Sequence, residues 1–97
     1  MKAYELLFLV DPVIEEDARE ALLARIESTI TSQDGVIDGI EPWGKRKLAY
    51  EINKLQEGDY TLINFHADPT SIAELDRVLR ITDTVVRFIV VRKDPTE

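Results

Sequence analysis

The chain has no cysteine, so neither a disulfide framework nor a thiolate metal site is available to it. Its only histidine, His66, has no nucleophile pattern beside it and reads as a surface or interface residue. The four glycines, at 35, 39, 44 and 58, are scattered and build no phosphate-binding loop. No apolar run is long enough to cross a bilayer. The opening, Met1-Lys2-Ala3-Tyr4-Glu5, places an acid inside the first apolar stretch, unlike a secretory signal peptide, so a cytoplasmic location is expected. Repeats, low-complexity tracts and metal-ligand spacings are missing too. No enzyme, cofactor or metal is expected.

What is present amounts to one domain, residues 1–93, followed by a short polar tail at 94–97. The net charge is −7, and it is unevenly spread. Residues 1–34 carry three bases and eight acids; residues 35–57 carry four of each. Residues 58–83 carry two bases and five acids, and residues 84–97 carry three and two. The acids concentrate where the pattern is helical. Helices on one side of a sheet would therefore give an acidic back and a more basic front or edge.

Residues 3–10 alternate as a strand, with Tyr4, Leu6, Phe8 and Val10 on one face and Glu5, Leu7 and Leu9 on the other. Asp11-Pro12 ends it. Residues 14–33 read as a helix whose stripe is Ile14, Ala18, Leu22, Ile26 and Ile30, widened by Ala21 and Leu23. Glu15, Glu16 and Asp17 suit the positive end of its dipole. Asp34-Gly35 stops it, with Gly35 expected in a left-handed C-cap. A long strand follows from Val36, bent or bulged at residues 42–47 by Pro42 and Gly44 and placed near a sheet edge. Trp43 to Lys54 holds the only Trp and the densest positive charge of the chain. Gln56-Glu57-Gly58-Asp59 reads as a turn and residues 60–67 as the third strand. Thr61, Ile63, Phe65 and Ala67 share one face of that strand; Tyr60, Leu62, Asn64 and His66 share the other. Asp68-Pro69 opens a second helix with stripe Ile72, Leu75 and Leu79 and an Asp76–Arg80 pair on its solvent side. Residues 84–92 form the last strand.

The order strand–helix–strand–strand–helix–strand gives an α+β, ferredoxin-like sandwich. Right-handed crossovers put both helices on one face of a four-stranded antiparallel sheet. The other face should then be wet and polar. Instead it carries Leu7, Leu9, Leu62, Ile89 and Val91, with Tyr60 and Trp43 at its margin. Single exposed apolar side chains are ordinary, but a contiguous patch marks a partner surface. Aliphatic side chains there favour a protein over stacked bases, which need aromatic platforms.

The cations form the second candidate site. Lys45, Arg46 and Lys47 are consecutive, with Lys54 further on, Arg87, Arg92 and Lys93 on and after the last strand, and Lys2 at the start. Read plainly, they are a solvated bend and a guard on an edge strand; read functionally, they hold phosphates.

The stretch Gly44-x-Arg46-x-Leu48-Ala49-Tyr50-x-Ile52-x-Lys54, with Trp43 ahead of it, resembles the central motif of the bacterial small-subunit ribosomal protein six family. Tyr4-Glu5, Phe8 and Asp11-Pro12 match that family's first strand and turn. Leu79-Arg80-Ile81, Asp83, Val85, Arg87 and Val90-Val91 match its last helix and strand. The resemblance implies the same fold and a non-enzymatic structural role. It further implies pairing with ribosomal protein eighteen of the small subunit and joint binding to the central domain of the small-subunit rRNA. It makes Arg46, Lys54 and Arg87 candidates for rRNA or partner contact. Lys45, Lys47, Arg92 and Lys93 join them by charge and position. Lys2 stands where the family often has arginine, keeping the charge without the planar fork. The alternatives are an RNA-recognition-like module binding single strands on its sheet, and a ferredoxin-like regulatory or small-ligand domain. Asp59 and Leu62 are poor platform residues for the first, and the second lacks a locatable polar pocket.

Overall fold

The computed structural model describes residues 1–52 and 54–93; Asn53 and the expected tail at 94–97 lie outside the described residues. The elements run β1 (Lys2–Val10), α1 (Glu16–Thr31), β2 (Val36–Ile52), β3 (Leu55–Ala67), a 3-10 turn (Pro69–Ser71), α2 (Ile72–Ile81) and β4 (Val85–Lys93). The four strands make one antiparallel sheet in the order β2-β3-β1-β4.

Period-2 alternation decides which side chains are buried. Tyr4, Leu6, Phe8 and Val10 of β1 enter the core with Ile63, Phe65 and Ala67 of β3. Leu22, Ile26 and Ile30 of α1 and Leu75 and Leu79 of α2 close it from one side. Tyr4 and Phe65 stack with ring centroids 5.6 Å apart. Burial of each large side chain here contributes about 1.5–3 kcal/mol.

The structure departs from the sequence expectations at four places. The stripe of α1 does not include Ala18 and Ala21, which are exposed; Arg19 takes that position and pairs with Asp59. At the end of α1 the left-handed residue is Asp34, with φ 67°, and not Gly35. Gly35 is needed for space instead: a Cβ there would stand 2.7 Å from both Cγ2 and the carbonyl oxygen of Ile30. Residues 56–59 are strand, not turn, because the hairpin closes earlier, with Ile52 opposite Leu55 and Lys54 left-handed at φ 68°. Gly58 lies within β3, where a Cβ would press to 2.7 Å on Cδ1 of Leu9. In α2, Val78 joins the expected stripe, buried beside Leu75 and Leu79, with Ile72 packed against the core as expected.

Other expectations hold. The register of β2 on β3 shifts between Pro42 and Gly44, where Gly44 takes φ 82°. That bulge sits on an edge strand, the place in a sheet where proline is tolerated. Asp68 caps the 3-10 turn, its Oδ1 accepting from the Thr70 backbone N–H at 3.1 Å. Arg80 Nε donates to Asp76 Oδ2 at 2.6 Å.

Candidate functional site

The register fixes what the uncovered sheet face presents. Leu7 stands opposite both Leu62 and Ile89, and Leu9 opposite both Tyr60 and Arg87. Glu5 stands between Asn64 and Val91. The face is therefore apolar along the Leu62–Leu7–Ile89 row, apolar up to Arg87 along the Tyr60–Leu9 row, and polar at its margins. Ile89 is 55% exposed and Val91 45% exposed. Leu7, Leu62 and Tyr60 are half-buried by their neighbours. A shallow depression of about 440 Å³ is lined by Leu7, Leu9, Tyr60, Arg87, Phe88 and Ile89.

Leu9 needs a correction. It faces this side, as its position in the alternation requires, but it is only 2% exposed. Gly58 lies against it, since a Cβ on Gly58 would meet Leu9 at 2.7 Å, and the Leu48 side chain approaches the same glycine, its Cδ2 3.5 Å from that Cβ. Leu9 floors the depression and offers a partner almost no area. Trp43, 40% exposed, packs on Tyr60 with ring centroids 6.2 Å apart and planes tilted by 45°. Two tilted rings at one corner do not make a flat stacking platform.

The polar margin is connected. His66 Nδ1 lies 2.5 Å from Asp38 Oδ2. Asn64 Nδ2 donates to Glu41 Oε2 at 3.3 Å. Lys93 Nζ donates to Asn64 Oδ1 at 3.5 Å and lies 3.7 Å from Glu5 Oε2. His66 is thus an exposed, carboxylate-paired residue. Among the described residues no group of His, Asp and Glu gathers to hold a metal ion.

The cations do not form one patch. Because β2 continues as strand through residues 45–47, alternation divides them. Lys45 and Lys47 line a cleft of about 560 Å³ with Lys54, Asp11 and Glu57. Lys45 lies 3.8 Å from Glu57. Arg46 pairs in register with Gly58, on the other side of the ribbon. Arg87 and Lys93 fall on the open face, opposite Leu9 and Ala3. Arg92 stands opposite Tyr4 and so takes the helix side, as does Lys2, two residues before Tyr4. The sequence places these residues near one another in the chain, but it does not show the pleat that separates them.

Comparison with known proteins agrees with this architecture. The family model described as ribosomal protein S6 matches residues 3–92. The chain is 51% identical over 94 residues to the small ribosomal subunit protein bS6 of Clostridium kluyveri, covering 97% of this chain and 99% of that one. It is 45% identical to bS6 of Clostridium botulinum strain 657, covering 97% and 100%. Among solved structures, the 30S ribosomal protein S6 of Thermotoga maritima superposes with a TM-score of 0.88 at 39% identity, over 95% of this chain and 87% of that one. The C-terminal domain of the MgtC protein from Mycobacterium tuberculosis shares the fold, with a TM-score of 0.65 at 14% identity, over 100% of this chain and 93% of that one.

Proposed function

The chain belongs to the ribosomal protein S6 family, and on that premise we propose that it pairs with ribosomal protein eighteen of the small subunit through its open sheet face, the pair then binding the central domain of the small-subunit rRNA. It is a ribosomal protein and not an enzyme, and its place is the cytoplasmic ribosome. One observation carries the pairing. The face left bare by the helices has an aliphatic middle, with Ile89 and Val91 half-exposed on it. Such a surface gains from being covered by another protein.

The mechanism is assembly by pre-organisation. A chain of net charge −7 is repelled by a polyanion. A partner that covers the aliphatic rows and brings positive charge turns the pair into an RNA-binding surface. Phosphate and groove contacts then fix the pair on folded RNA without a base-by-base code. The candidates for those contacts are Lys2, Lys45, Arg46, Lys47, Lys54, Arg87, Arg92 and Lys93. Lys45, Lys47 and Lys54 share one cleft and make the densest group. Among these candidates, Arg46, Lys54 and Arg87 also match the family's motif.

The test is to replace Leu62 with Asp and Ile89 with Glu, separately, and to titrate each variant with protein eighteen. The reading expects near-native melting and strongly weakened pairing. Native pairing by both variants would remove the open face as the docking surface.

A further inference from the structure

The open face is electrically lopsided. On β2, one edge of the sheet, it carries Asp38 and Glu41 beside the aliphatic row and Arg46 farther along, opposite Gly58; on β4, the other edge, it carries Arg87 and Lys93. The aliphatic row Leu62–Leu7–Ile89 lies between the two edges. The third acid of the face, Glu5, has Lys93 at 3.7 Å. Asp38 has only His66, and Glu41 only the Asn64 amide, so among the described residues neither has a lysine or arginine partner. Two carboxylates on one rim of an apolar strip are thus left to a cation from outside.

The form of the occupant follows from backbone chemistry. An extended segment laid on a sheet face would lose water from N–H and C=O groups that find no partner there. A helix satisfies its own backbone and buries one apolar stripe against a sheet, which is how α1 and α2 already cover the opposite side. Continuing from the pairing reading above, we infer that the open face receives an amphipathic helix of the protein partner. Its apolar stripe lies over Leu7, Leu62 and Ile89, and its lysine- or arginine-bearing flank lies over Asp38 and Glu41. Arg87 repels cations from the other flank, where Lys93 is held by Glu5, so the charge difference between the two edges selects one orientation of the helix.

Calorimetric titration with purified protein eighteen, at low and high salt, tests this. The full chain is compared with Asp38→Lys/Glu41→Lys and with Asp17→Lys/Glu20→Lys. The second pair makes the same change in net charge on exposed positions of α1. The first double variant is expected to weaken binding by at least about tenfold at low salt, the gap narrowing at high salt. The α1 variant is expected to bind like the unsubstituted chain. If the first variant melts early, the neutral version Asp38→Asn/Glu41→Gln serves, with a smaller loss in the same direction. Unchanged affinity in the β2 variants, or an equal loss in the α1 variant, overturns the inference and leaves pairing intact. No binding by the unsubstituted chain overturns the pairing and this inference together.

Discussion

Arg19 of α1 donates from Nη2 to Asp59 Oδ2 of β3, joining residues forty positions apart in sequence. Both side chains are mostly covered, at 24% and 16% exposure, so water screens the pair less than a surface bridge. It ties the first turns of the helix to the strand beside the β2–β3 hairpin. Arg19→Ala and Asp59→Ala should each destabilise the fold. A double-mutant cycle read from urea midpoints should give a coupling of roughly 1 kcal/mol. Additive effects would show that the contact contributes no pairwise stability.

Gly35 should resist any side chain. An added Cβ would meet the Ile30 carbonyl, which is backbone and cannot swing away, at 2.7 Å. Gly35→Ala is therefore expected to cost roughly 1–3 kcal/mol through displacement of the end of α1 from β3. Gly39→Ala, where a Cβ meets nothing within 4 Å, should cost much less. Chemical denaturation of the two variants makes the comparison.

Lys54 sits at φ 68°, a conformation that glycine adopts without strain. Lys54→Gly should raise stability by up to about 1 kcal/mol, while the pair with protein eighteen binds rRNA less tightly and with a shallower salt dependence. A gain in stability with unchanged RNA binding would remove Lys54 from the contact set.

The hydrogen bond from the Thr70 backbone N–H, joined by that from its hydroxyl, holds the Asp68 carboxyl below its ordinary value of 3.8. A carboxyl depressed by folding adds stability above the ordinary value and loses it as pH falls through the folded one. The melting temperature of the native chain relative to Asp68→Ala should therefore be higher and flat near neutral pH. The difference should shrink below 3.8. A difference that stays constant through the acid range would exclude the carboxylate form as the cap.

Much of the fold was legible because alternation is a direct imprint of the pleat. Tyr4, Leu6, Phe8 and Val10, and likewise Ile63, Phe65 and Ala67, are buried as their spacing requires. The aliphatic open face was legible for the same reason. Gly58 was not: glycine near Asp and Gln reads as a turn, yet here its missing side chain makes room for Leu9. The same contact hides Leu9, which alternation alone marks as available. Arg19 was missed because a charged residue seldom occupies a buried stripe, and the acid that draws it in lies in another element. The cations looked like one bend because they are consecutive, whereas a strand sends neighbouring side chains to opposite sides.

The most direct measurement is binding to a central-domain rRNA fragment, with and without purified protein eighteen, at two salt concentrations. Assembly by pre-organisation predicts tight, salt-sensitive binding only when the partner is present. Equal binding by the chain alone would contradict it, because the open face and the −7 charge would then need no second protein to meet RNA.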